Sequence, residues 1–411
     1  MRRVIVALVI PFVAQANDLR DYIRHIHKSN LYRSKSYSVM AKGSEIDAVK
    51  SKYLPTIDIG ASYNYNDPVS IPKSPDKTAV AFAKISLTLF DGGIKSYQIL
   101  SKEYERSSAE FERRAFAKDA ALNVTKSYFG ILKLRALLRA LRVRQGEIKA
   151  QLNRVEKFYK SGIANKDDLY RLKAAYQESR YNIENTKQML LSAKEGLKLL
   201  SGLSVNSIKE VRFVTPKRTR FRVSDQIRAL REKSKAVGES ANMVAVSNYP
   251  KVMVSDTYKV LKYPDFPASS KLIDHQNTLS VNLNMRLFDG GSASAQSESI
   301  RYNQLALESQ INHLINQQKM NYKLAKENLK TLRVNINSTL SALKAANINY
   351  KKMKANYESG LIDNTAYLDA LSQKTMAYAR YKQTIYELEI AKAVLYHYAG
   401  ASLVNKIRRV R

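Results

Sequence analysis

The chain has 411 residues, no cysteine and no tryptophan, and carries 69 Lys+Arg against 36 Asp+Glu, a formal net charge of +33. Zero cysteine excludes disulfides, thiolate metal sites, cysteine nucleophiles and a cysteine-linked lipid anchor, and 45% hydrophobic with 26% charged residues excludes a wholly disordered chain. The length allows one to three ordinary domains or one elongated one, and the charge leaves nucleic acid, an anionic surface or a generally basic surface open.

Residues 1–16 read MRRVIVALVIPFVAQA. Arg2 and Arg3 precede an apolar run from Val4 to Val13, and Ala14-Gln15-Ala16 offers a small-residue cleavage site. This is the pattern of a secretory signal peptide, too short for the roughly 20 residues of a spanning helix. The competing reading is a buried N-terminal strand or helix. Removal takes away two arginines, so the processed chain carries 67 − 36 = +31. No later segment is apolar enough for a transmembrane helix. Export without cysteine fits the periplasm or outer membrane of a two-membrane bacterium, or secretion, and argues against nucleic acid as the partner.

Proline lies at 11, 55, 68, 72, 75, 216, 250, 264 and 267, which leaves 76–215 and everything after 267 free of it. An interior proline costs a helix about 3 kcal/mol, so two long proline-free tracts suit long helices. In chain order the expected elements are a helix over 17–52, strands at about 55–66 and 79–90, a long helix 93–160 and a helix 163–201. A linker covers 203–224. The order then recurs over 225–400: a helix to about 248, strands at about 250–262 and 278–288, a long helix 292–359 and a helix 363–399. Residues 401–411 form a C-terminal tail.

The strands rest on period-two alternation. Ile57, Ile59, Ala61, Tyr63 and Tyr65 alternate after Pro55, and Ala83, Ile85, Leu87 and Leu89 before Asp91. Val252, Val254, Tyr258 and Val260, interrupted by Asp256, and Leu279, Val281, Leu283, Met285 and Leu287 do the same later. The second long helix carries a heptad seam of Leu329, Ile336, Leu343, Tyr350 and Tyr357 beside Ala325, Leu332, Thr339, Ala346 and Met353. At 1.5 Å per residue each long helix measures roughly 100 Å.

Glycines expose a duplication. Leu89-Phe90-Asp91-Gly92-Gly93 recurs as Leu287-Phe288-Asp289-Gly290-Gly291, Tyr159-x-Ser161-Gly162 as Tyr357-x-Ser359-Gly360, and Gly202 as Gly400, each 198 residues on. The chain reads as two copies of one unit. Four strands cannot close a barrel, which needs about eight. Open edges invite pairing with other chains, so oligomerisation would close them. Strands of about ten residues suit a bilayer-crossing barrel, and the alternative is a small sheet in a soluble periplasmic coiled-coil adaptor or scaffold. A third reading, a basic binder of nucleic acid or anionic surfaces, needs clustered lysines. Here they are dispersed, as in Lys344, Lys351, Lys352 and Lys354 flanking the seam.

No G-x-S-x-G elbow and no phosphate loop occurs. His25 and His27, two apart, face away from each other on a helix and read as surface residues. No catalytic or metal site is expected. Asp91-Gly92-Gly93 and Asp289-Gly290-Gly291 read as strand-to-helix turns, in which glycine permits the sharp passage and aspartate favours the helix start. Gly162-Ile163-Ala164-Asn165 and Gly360-Leu361-Ile362-Asp363 read as a C-cap glycine followed by an N-cap residue.

Tyr53-Leu54-Pro55 entering a strand, Leu-Phe-Asp-Gly-Gly twice, Tyr-x-x-Gly twice and the duplication itself resemble the TolC-like outer-membrane efflux proteins over essentially the whole processed chain. The resemblance implies a mainly α fold with a small β part. Long antiparallel coiled-coil hairpins would accompany four strands per chain in a twelve-stranded trimeric transmembrane β-barrel seated in outer-membrane lipid. It implies the exit duct of a tripartite efflux or type I secretion system, opened at a periplasmic helical tip. The implied partners are two further copies, a periplasmic adaptor (a membrane fusion protein) and an inner-membrane pump, with no nucleic acid, cofactor or enzymatic activity.

The resemblance also implies roles for particular residues. The turns at Gly162, Ile163 and Asn165 and at Gly360, Leu361 and Asp363 would form the tip that meets the adaptor. The family's two constriction acids fall six and nine positions after the second glycine, on Ala366 and Asp369, so one ring of three carboxylates would remain. Like charges at close range raise each other's pKa and attract cations. Tyr357 matches the family's latch tyrosine and Asp168 its acidic partner. The latch arginine falls on Ile362, so closure would lean on apolar contact, a neutral hydrogen bond being worth about half a charged one.

Overall fold

The computed structural model describes residues 17–67, 75–216, 218–264 and 272–409. The expected signal peptide lies outside them, as do Pro68, Pro72 and Pro267. The elements are α1 (Leu19–His25), α2 (Asn30–Lys50), β1 (Thr56–Tyr65), β2 (Lys77–Phe90), α3 (Ile94–Lys160), α4 (Lys166–Ser201), β3 (Val211–Phe213), α5 (Asp225–Ala245), β4 (Lys251–Lys262), β5 (His275–Asn284), α6 (Ser292–Glu358), α7 (Asn364–Tyr398) and β6 (Ile407–Arg409). The chain is mainly helical with a small sheet. It divides into two compact units. One holds residues 35–112 and 226–314; the other holds the preceding N-terminal residues with 113–225 and 315–411. The helices α3 and α6, 67 residues each, run through both.

The first unit contains a four-stranded antiparallel sheet in the order β1-β2-β4-β5. Its register sorts the two faces. Thr56, Ser86, Ser255 and Ser280 stand in one cross-strand row, with the Thr56 and Ser86 hydroxyls 2.9 Å apart. Asp58, Lys84, Thr257 and Thr278 form the next row on that polar face. On the other face Leu87, Val254 and Val281 align, and so do Ile57, Ile85, Asp256 and Leu279. A one-residue slip would exchange the two faces, so this alternation fixes the register. The apolar face stays open in the single chain: Ile59 is 85% and Leu279 72% exposed. Gly60 lies opposite Phe82, whose ring occupies the place of a Cβ there, 2.6 Å away.

The last strand is shorter than the alternation suggests. It ends at Asn284, and Met285–Phe288 leave the ladder. The partner strand begins at Lys251, opposite Asn284, directly after Pro250, which has no N–H to offer. The expected helix 17–52 is likewise interrupted: a 3-10 turn over Ile26–Lys28 and an extended Ser29 separate α1 from α2. Asp18 caps α1, and Asp21 reaches back to its N–H in a capping box.

In the second unit Leu19, Tyr22, Val124, Tyr128, Phe129, Ile131, Leu197, Phe213, Tyr386 and Ile407 form one buried core. The heptad seam of α6 packs on α7 through Ala325 and Leu329 against Ala391 and Leu395. The seam's polar member, Thr339, satisfies its hydroxyl on the Asn335 carbonyl at 2.8 Å. The segments read as linker and tail are joined: β3 and β6 pair antiparallel. A buried pair on α7 holds them. Glu389 accepts the Phe213 N–H at 2.6 Å and the Lys392 ammonium at 2.6 Å, and Lys392 also reaches the Phe213 carbonyl at 3.4 Å. Strands of three residues carry no readable period, which hid this ladder from the sequence.

Candidate functional site at the helix–helix turns

Both turns lie in the second unit. After α3 the chain passes through Gly162 at φ 74°, and the Ile163 N–H returns to the Phe158 carbonyl at 2.9 Å. After α6 it passes through Gly360 at φ 75°, and the Leu361 N–H returns to the Asn356 carbonyl at 2.8 Å. These are Schellman closures, which need a residue in the left-handed region. Asn165 then accepts the Asp167 N–H at 3.3 Å and Asp363 the Ala366 N–H at 3.0 Å, opening α4 and α7. Ile163 and Leu361 are left 75% and 73% exposed.

Beneath the turns, α3, α4, α6 and α7 share an apolar core of Ile148, Val155, Leu169, Leu172, Tyr350, Tyr367 and Leu371. Tyr357 stacks on Tyr367 with ring centroids 5.0 Å apart and planes 14° from parallel. Burial pushes the Tyr367 phenol up to about 12, and the Glu147 carboxylate adds to this. Burial also raises Tyr357, reinforced by the charge of Asp168 and opposed by Arg154. The structure thus brings the two expected latch residues within electrostatic reach, while the contact made by the Tyr357 ring is stacking.

Most polar links between the two turns come from residues the sequence did not single out; Asp168 takes part through its carbonyl. Arg171 on α4 donates to the Thr365 hydroxyl at 2.7 Å, and Arg154 on α3 to the Glu358 carbonyl at 3.2 Å. The buried Asn364 donates to the Asp168 carbonyl at 3.3 Å. Lys354 on α6 bridges to Glu147 on α3 at 3.1 Å. Burial works to raise Glu147, but Lys354, with Tyr350 and Lys374, outweighs it and holds the carboxyl below its usual range. Asp369 is exposed on α7 and accepts a hydrogen bond from Gln373 at 2.8 Å.

The strand-to-helix turns lie in the other unit. Asp91 accepts the N–H groups of Gly93 and Lys95, both at 3.1 Å, and Asp289 those of Gly291 and Ala293, both at 2.9 Å. The Asn248 amide bonds Asp289 at 2.8 Å and, with those backbone donors, lowers its pKa. Gly92 and Gly93 sit at φ 74° and 88°, Gly290 and Gly291 at 70° and 83°. A Cβ on Gly92 would stand 2.5 Å from that of Tyr249. Among the described residues no group of three His, Cys, Asp or Glu could hold a metal, and no helix is long and apolar enough to cross a membrane.

Duplicated helical hairpins, joined to an antiparallel sheet with one apolar and one polar face, define the fold class of the outer-membrane efflux channels. Residues 33–203 match the model of the outer membrane efflux protein family, and the chain is similar to TolC-like outer-membrane channels. Outer membrane protein TolC of Salmonella enteritidis is 20% identical over 410 residues, covering 93% of this chain and 82% of that protein. The outer membrane protein VceC of Vibrio cholerae has the same fold, with a TM-score of 0.77 and 15% identity over 94% of this chain and 96% of the other. The CmeC outer membrane channel of Campylobacter jejuni gives 0.78 and 13% over 93% and 84%.

Proposed function

We propose that this chain is one protomer of a homotrimeric outer-membrane duct, the exit of a tripartite efflux or type I secretion system. The carrying observation is the sheet. Its four strands have one open apolar face, one polar face and two unpartnered edges, β1 and β5. Three such sheets joined edge to edge make a closed barrel with lipid outside and water inside. In this reading residues 1–16 are an export signal, and 17–202 and 225–400 are two copies of one unit; the recurring element order supports the copies. The turns at Gly162 and Gly360 form the periplasmic end. Exposed Ile163 and Leu361 there, with Asn165 and Asp363 shaping the loops, meet a periplasmic adaptor coupled to an inner-membrane pump. The protein conducts and does not catalyse.

Fractionation tests the reading. A heat-modifiable oligomer in the outer-membrane fraction is expected, and a wholly soluble monomer overturns it. Asp369 then lines the constriction as a ring of three carboxylates. Asp369→Asn raises single-channel conductance or weakens block by multivalent cations in planar bilayers; a variant identical to wild type in both removes Asp369 from the gate.

A further inference from the structure

Next to the aromatic core beneath the turns, in the same compact unit, lies a cavity of about 240 Å³. It is lined by Arg139 and Val143 from α3, Leu343 and Asn347 from α6, and Leu371 and Lys374 from α7. Leu371 also belongs to the aromatic core beneath the turns. The lining combines carbon surface with two cations and holds no carboxylate. Positive charge is in excess just behind it. Lys374 sits 3.8 Å from the centre of the Tyr350 ring, and burial lowers its pKa. Lys354 and Lys351 lower it further, and the one carboxylate acting against them, Glu147, is already engaged by Lys354 at 3.1 Å.

We propose that this cavity is a binding site for an amphipathic organic anion, whose apolar body lies on Val143, Leu343 and Leu371 and whose acid group meets Arg139 and Lys374. Charge complementarity selects the ligand: an anion relieves an uncompensated cationic cluster, whereas a cation would add to it. The apolar walls select against small hydrated anions. The volume lies just under the roughly 300–1,000 Å³ typical of drug-sized ligands, so a fused two-ring or short-chain acid is the size it takes. A bound acid joins α3 to α7 next to the Tyr350 and Tyr367 rings, and so restrains the helices of the gate. That last consequence rests on the proposed channel function; binding itself does not.

The test uses the full protein reconstituted in lipid nanodiscs and titrated calorimetrically with naphthalene-2-sulfonate, inorganic sulfate and 2-naphthylmethylammonium. The sulfonate is expected to bind at least tenfold more tightly than either of the others. Arg139→Gln and Lys374→Gln each weaken it at least tenfold, and Lys374→Arg retains it. Both glutamine variants are checked for unchanged oligomer and helix content, so that misfolding is not read as lost binding. Equal binding of sulfate, equal binding of the ammonium probe, no sulfonate binding, or unaltered affinity in well-folded glutamine variants overturns the site. In bilayers the sulfonate lowers the open probability of the wild type and leaves Lys374→Gln unchanged. Tight binding without that effect overturns the restraint on the gate while leaving the site, and a protein that forms no channel at all fails the functional reading instead.

Discussion

At the scale of single residues, Tyr357 holds its place by lying flat on Tyr367. An aromatic pair is worth about 0.5–1.5 kcal/mol beyond its buried area, and phenylalanine keeps the ring. Closed-state conductance should therefore be nearly unchanged in Tyr357→Phe and raised severalfold in Tyr357→Ala, read from single-channel recordings. Equal effects of the two substitutions would shift the weight to the hydroxyl. Glu147 gives the turns a pH dependence. Its folded pKa is depressed, so its stabilising contribution is full above the ordinary value of 4.5 and is lost as pH falls through the lower folded value. Closed-state conductance should stay flat from neutral pH down to the ordinary value of 4.5 and rise only as pH falls further, and Lys354→Gln should abolish that rise. The family resemblance pointed to Tyr357 and Asp168 by their positions relative to the two glycines. It could not find Arg154 or Arg171. In a chain with 69 Lys+Arg an arginine carries no signal of its own, and only the approach of α4 to the second turn singles out Arg171.

At the scale of elements, long periodic segments were legible and short ones were not. Alternation over seven to nine residues announced β1, β2, β4 and β5, which run for ten to fourteen residues. Five heptads announced α6, whose Thr339 sits in the seam without cost because its own helix supplies an acceptor. The β3–β6 ladder depends on Glu389 and Lys392, nearly 180 residues from β3, so no local pattern points to it. The break in strand pattern at Asp256 keeps its meaning in the fold. This residue stands mid-strand on the apolar face between Ile85 and Leu279, and one of its carboxylate oxygens is buried without a hydrogen-bond partner. In the proposed barrel this face meets lipid, where a charge costs up to about 2–4 kcal/mol at the midplane, less for acids. Asp256→Leu should raise the temperature at which the oligomer dissociates on a heat-modifiability gel. A lowered temperature would mean that the carboxylate has a partner in the assembly.

At the scale of the whole molecule, the two edge strands of the sheet mean that, in the proposed trimer, no copy completes its own barrel. Proline at Val281 removes one backbone donor, either from the ladder to β4 or from the outer edge of β5, and both ladders are needed for closure. Coexpression of this variant in equal amount with wild type should leave about one in eight trimers free of it if copies mix at random. Efflux or oligomer yield should therefore fall well below half; a fall to half would mean that copies act alone. The feature reaches beyond folding into heredity. In the proposed trimer a lesion on an edge strand is felt in assemblies built mostly from sound copies, so a damaged copy expressed beside an intact one interferes with it.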